Sequence, residues 1–167
     1  MCMKYVNTIA NCYESIELNA NNQIVKYINP FDCIYAKADG NRLYIGPFVI
    51  GTTINILGTS DEEKKKENPL EQNIKLDFKI RLTKCDPNET NRACLDLETI
   101  EIDLSNNDAK HMACFSYATY NMANQISRLY LDDTAGKGKY VIKVLVKRHD
   151  EPDDKYSIQS MTKLEVL

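Results

Sequence analysis

The sequence predicts a mostly β protein: an antiparallel two-sheet β-sandwich, immunoglobulin-like or C2-like, with about eight strands and at most one helix. Three observations predict it. Residues 74–83 alternate strictly, with Ile74, Leu76, Phe78, Ile80 and Leu82 on one face and Lys75, Asp77, Lys79, Arg81 and Thr83 on the other. A period of two is the strand signature, and the apolar face is expected to pack on the core while the charged face meets water. Residues 129–146 then join a short alternating run to a β-branched run through a Gly-rich turn, which reads as a hairpin. The step Gly138-x-Tyr140 opens the second of those runs. In immunoglobulin-like sandwiches a Tyr so placed folds its hydroxyl back onto the backbone at a sheet-to-sheet corner.

The remaining elements follow in order. Residues 4–13 form a first strand, with Val6, Thr8, Ala10 and Cys12 on one side and Tyr5, Asn7, Ile9 and Asn11 on the other. The polar residues 15–22 form a turn ending in Asn21-Asn22, and residues 23–28 form a second strand. Pro30 ends that strand or confines it to a sheet edge, because proline donates nothing to a ladder. Asp39-Gly40-Asn41 sits between two alternating runs, 34–38 and 42–45, and marks a hairpin. Residues 48–57 form a strand rich in Ile and Thr. Residues 60–72 carry charges of both signs, little to bury and Pro69, and read as an exposed loop. In residues 95–104, Leu95 and Leu97 fall out of phase with Ile100, Ile102 and Leu104, so a bulge is expected near Glu98-Thr99. Residues 105–125 fit either period. Met112, Phe115, Thr119, Met122 and Ile126 sit at helical spacing, and a helix or irregular crossover is favoured over a strand. Strands at 126–131, 139–147 and 156–166 close the chain. Residues 139–147 are apolar on both faces and belong in the middle of a sheet.

Length and composition suit one domain over residues 1–167. A chain of this size buries roughly 70% of its unfolded surface, and 43% of its residues are hydrophobic. The net charge of −3 offers no basic footprint for nucleic acid or for an anionic membrane surface. No apolar run approaches the roughly 18 residues of a membrane span. The N-terminus lacks the apolar core of a signal peptide, so a cytoplasmic location is expected. There the six cysteines (Cys2, Cys12, Cys33, Cys85, Cys94 and Cys114) are expected to be thiols, with no CxxC pair among them.

The chain ends carry a resemblance. Asn21-Asn22-Gln23-Ile24 and Ile28-Asn29-Pro30-Phe31-Asp32 follow the opening strand. Gly138-Lys139-Tyr140-Val141-Ile142-Lys143-Val144 and the terminal Lys163-Leu164-Glu165-Val166 come far downstream. Together they resemble an uncharacterised family of small bacterial β-sandwich proteins, a domain of unknown function. The resemblance covers most of the chain apart from residues 60–72 and 105–125. It implies a fold and supplies no site. Gly136 stands where an immunoglobulin-type corner favours Asp.

Reactive groups do not converge in the sequence. Asp132-Asp133 and Asp150-Glu151 with Asp153-Asp154 offer the hard oxygens that calcium needs. The strand between them is nine residues long, which at about 3.3 Å per residue holds the two loops roughly 30 Å apart. His111 and Cys114 offer half of a zinc site, and Cys85 and Cys94 flank a turn, but four ligands in two closely spaced pairs are not present. Cys114 or Cys33 with His111 or His149 lacks a nucleophile elbow or oxyanion motif. Gly136-Lys137-Gly138-Lys139 joins two strands, whereas a phosphate loop precedes a helix. No catalytic, cofactor-binding or metal-binding residue is therefore assigned, and no cofactor is expected. Ten tyrosines, Tyr117 and Tyr120 near Met112 and Met122 among them, suit either a contact surface or a core cap. The expectation is a non-enzymatic cytosolic binding or scaffolding module that meets another protein, or its own copies, but neither nucleic acid nor membrane. The alternative is a zinc- or calcium-dependent module or small enzyme built on the cysteines, histidines and acidic loops.

Overall fold

The computed structural model describes residues 6–57, 74–85, 94–104, 117–131 and 136–167. These residues are mostly β: twelve strands and one short 3-10 helix, with no α-helix among them. The expected loop at 60–72, His111, Cys114 and Asp132-Asp133 lie outside the described residues. Three sheets form where two were expected. The four-stranded sheet has the order β2-β1-β6-β9, from Ile24–Phe31 (β2), Val6–Leu18 (β1), Phe48–Leu57 (β6) and Tyr117–Ile126 (β9). The five-stranded sheet has the order β3-β12-β11-β7-β8, from Cys33–Ile34 (β3), Ser157–Val166 (β12), Gly138–Arg148 (β11), Lys75–Lys84 (β7) and Cys94–Asp103 (β8). Lys37–Asp39 (β4), Arg42–Ile45 (β5) and Leu129–Tyr130 (β10) make a small third sheet.

One core receives the inward residues of both large sheets. Ala10, Cys12, Ile50 and Ile54 come from the four-stranded sheet, and Phe78, Ile80, Ile142 and Val144 from the five-stranded one. The alternation in β1 runs as read, with Val6, Thr8, Ala10 and Cys12 buried. Small residues let β1 approach β12. Thr8 Oγ1 donates to Ser160 Oγ at 2.8 Å, and Thr162 Oγ1 donates to the Ala10 carbonyl. Strand β1 also continues to Leu18, through half of the segment expected to turn; the turn itself is held by Asn19, whose Oδ1 accepts from the amides of Asn21 and Gln23. Pro30 lies inside β2, which is an edge strand, as its missing N–H requires.

Several expectations are corrected. Residues 117–126 form strand β9, paired along its length with β6, so the helical spacing was misleading there. The bulge expected near Glu98-Thr99 is present, at Leu97: Ile80 pairs with Glu98 and Arg81 with Asp96. Residues 129–146 are not a hairpin. Strand β10 pairs with β5, whereas β11 pairs with β12 and β7. The Gly-rich turn therefore carries the chain from one sheet to another. Gly136 and Gly138 both adopt positive φ there, at 83° and 135°. The corner Tyr is in place: Tyr140 is 1% exposed, and its hydroxyl donates to the Gly136 carbonyl.

Candidate functional site

The outward face of the five-stranded sheet holds the densest chemistry. In β11 the residues out of phase with Tyr140, Ile142, Val144 and Val146 point away from the core, which places Lys143, Leu145 and Lys147 outward. Directly paired residues share a face. Lys143 thus lies beside Met161 of β12 and Arg81 of β7, and Lys147 lies beside Asp77 of β7. The register continues from Asp77 to Glu101 of β8.

The β7–β8 half of this face is an ion network. The expectation of a solvated charged face is corrected here: Asp77 and Thr83 are buried, and Lys79 and Arg81 are half-buried. Arg81 grips Asp96 through both Nε and Nη2, and Lys79 lies 3.7 Å from the same carboxylate. Lys147 is 6% exposed. Its Nζ donates to the Glu151 carbonyl at 2.8 Å, lies 3.2 Å from Asp77 Oδ2 and 3.6 Å from Asp153 Oδ1, and faces the Tyr156 ring at 5.4 Å. Burial works against the ammonium, but Asp77 outweighs it and holds the Lys147 pKa above the usual lysine value. Burial likewise works against the Asp77 carboxylate, yet hydrogen bonds from His149 and Lys147 hold its pKa below the usual value. The alternation in β7 hid this. A charged residue opposite another charged residue on a sheet reads as solvated until the cross-strand partner is known.

Two predictions arise here. Lys147→Ala is expected to lower the thermal midpoint by several degrees because it leaves Asp77 buried without its cation. Lys143→Ala, on the same strand and face, should move it by about a degree or less. Equal shifts in a melting experiment would contradict the network. The second is a pH dependence. A carboxyl with a lowered native pKa binds its proton less readily folded than unfolded, so its contribution is present above the unfolded pKa of about 3.9. That contribution is lost as the pH falls through the native value. Wild type should therefore lose stability below about pH 4 more steeply than Asp77→Asn, as read from urea midpoints across that range.

The β11–β12 half of the face is different. Ile158 and Met161 are 50% and 64% exposed, and Leu145 pairs with Ile158. Lys143 pairs with Met161, and Lys163 with Val141. Among the described residues no carboxylate lies within ion-pair distance of Lys143 or Lys163. An apolar strip flanked by cations is the result.

The residues weighed from sequence are dispersed. Cys12 is buried in the core, where desolvation pushes its thiol up to about 12, far from the thiolate a nucleophile needs. Cys33 is exposed on β3, and Cys85 and Cys94 border the ends of β7 and β8, where Cys94 Sγ lies 3.7 Å from Thr83 Oγ1; the four described cysteines are thiols. The acidic turn after β11 is engaged in pairs: Asp150 with Arg148, Asp153 with Lys147 and Asp154 with Lys155. Tyr120 and Met122 pack against the core from the four-stranded sheet. His149 instead meets two carboxylates, Asp77 and Glu101, which lie 72 and 48 residues away in sequence. Only the sheet register brings them together.

No protein-family model matches the chain, and no curated protein matches it. Among the described residues no helix is long and apolar enough to cross a membrane.

Proposed function

We propose that this chain is a cytoplasmic, non-enzymatic binding module. Its two larger sheets act as a β-sandwich scaffold, related to the small bacterial β-sandwich family that its chain ends resemble. The β11–β12 half of the outward face is the contact surface, and its occupant is an acidic segment of a partner protein. The observation that carries this reading is the pair Ile158 and Met161, both half or more exposed on the outward face of β12, with Lys143 opposite Met161 and Lys163 on the same strand. Apolar area supplies the affinity of such a patch, and the cations set orientation and association rate. The cations there have no carboxylates of their own among the described residues, so an acidic partner fits and a basic one does not. Burial of the Cys12 thiol supports binding over covalent chemistry.

The test uses full-length protein with Ile158→Asp and Met161→Asp together, and separately Lys143→Glu with Lys163→Glu. All four positions are outward-facing, so folding should survive, which melting checks. A protein cross-linked to wild type in extract of the source cells is identified, purified and titrated. Affinity should fall at least tenfold with either variant and should weaken as salt rises. Equal affinity for wild type and both variants would overturn the reading. Concentration-dependent dimerisation abolished by the same variants would assign the surface to self-association instead.

A further inference from the structure

Asp77, Glu101 and His149 meet on the β7–β8 half of the same face, across the sheet from Ile158 and Met161. Their ligand atoms, one from each residue, all lie within 4.8 Å of one another. His149 Nδ1 is 2.8 Å from Asp77 Oδ1 and 3.3 Å from Glu101 Oε2. A tetrahedral site with bonds of about 2.0 Å has ligand-to-ligand edges of about 3.3 Å. The His149–Glu101 edge matches that length, the His149–Asp77 edge is shorter, and the Asp77–Glu101 edge is within 4.8 Å, so small rotations of the exposed Glu101 and His149 side chains complete the face.

The other carboxylate oxygens are already held. Lys147 Nζ sits 3.2 Å from Asp77 Oδ2, and Lys75 Nζ donates to Glu101 Oε1 at 3.0 Å. Each lysine takes the oxygen that faces away from His149 and leaves the oxygen that faces it. Metal-ligating carboxylates are commonly oriented by such outer hydrogen bonds.

We propose that Asp77 Oδ1, Glu101 Oε2 and His149 Nδ1 form a three-ligand site for a divalent transition metal of the zinc class. The imidazole selects zinc over magnesium or calcium, whose ligands are oxygens. Binding moves the neutral ring's proton from Nδ1 to Nε2, so the Nδ1 lone pair meets the metal; from the imidazolium form, one proton is released to solvent. Asp77 is rigid on β7, whereas Glu101 and His149 are about half exposed, so the fourth position opens to solvent. This carboxylate-rich site differs from the cysteine and acidic-turn sites weighed from sequence.

The experiment is zinc titration of full-length, reduced protein by calorimetry, with cobalt substitution read by its visible absorption. One zinc per chain should bind, and the melting midpoint should rise with zinc, since a ligand of the native state stabilises it. His149→Ala and Glu101→Gln should both stay folded without metal, which melting checks, and each is compared with its own metal-free midpoint because His149→Ala also removes a hydrogen bond to Asp77. Each should weaken zinc binding by about 10–100-fold. Cobalt absorption should lack a thiolate charge-transfer band. Undiminished binding in His149→Ala, a thiolate band, binding lost with Cys85→Ser or Cys94→Ser, or no zinc-dependent rise in midpoint would each overturn the proposal.

Discussion

Tyr140→Ala is expected to destabilise the protein by about 3–5 kcal/mol, the cost of opening an aromatic-sized cavity in a packed core. Tyr140 is 1% exposed and stands at the start of β11, between β12 and β7, where the chain enters the five-stranded sheet. Tyr140→Phe keeps the ring and removes the hydroxyl that donates to Gly136. It should cost about 1 kcal/mol, the net worth of a typical hydrogen bond, because the Gly136 carbonyl loses its donor. Urea unfolding of both variants measures this. A silent Phe variant would mean that the corner is held by packing alone; a mild Ala variant would mean that the ring is not part of the core.

Gly51→Ala should cost about 1–3 kcal/mol through overpacking. Gly51 lies in the middle of β6, where glycine is normally unfavourable. A Cβ there would fall 2.4 Å from Tyr27 Cε1 and 2.8 Å from Tyr13 Cε2. The two rings stack over the glycine, 4.6 Å apart. They are not free to swing aside, because the Tyr27 hydroxyl donates to the Met122 carbonyl of β9 at 3.0 Å. Moving Tyr27 sacrifices both the stacking and that bond. The check is a double-mutant cycle: in a Tyr27→Ala background, Gly51→Ala should become nearly neutral. A cost that persists without the ring would place the strain in the backbone instead.

The strands were legible because period two is a local property. Residues 48–57 and the alternation of β1 and β7 needed no tertiary information. The corner Tyr was legible because Gly-x-Tyr restricts the backbone locally. What escaped was pairing. Nothing local says that β10 joins β5 rather than β11, since both choices satisfy the same turn residues. The outward cluster escaped for a similar reason. His149 lies just past β11, Asp77 in β7 and Glu101 in β8, and only the register Asp77↔Glu101 and Asp77↔Lys147 makes them neighbours. The burial of Lys147 depends on Asp77, on another strand, and on the turn at Glu151, so it is not a local property of β11. The strand at 117–126 was hidden because its apolar residues fit both periods, and pairing with β6 decided between them.

The Tyr13–Tyr27 stack has an optical consequence. The chain contains no tryptophan, so its near-ultraviolet signal comes chiefly from tyrosine. Two phenol chromophores fixed 4.6 Å apart with ring planes inclined by 23° couple their transitions in a chiral arrangement. The pair spans β1 and β2 and is tethered to β9, so it exists only while the four-stranded sheet is assembled. Near-ultraviolet circular dichroism thus carries a native label for that sheet, beside the signals of Tyr140 and of the Tyr44–Tyr130 pair. The part of the signal removed by Tyr27→Leu belongs to the stack, and its loss ahead of the far-ultraviolet transition would show the four-stranded sheet opening before the rest of the fold.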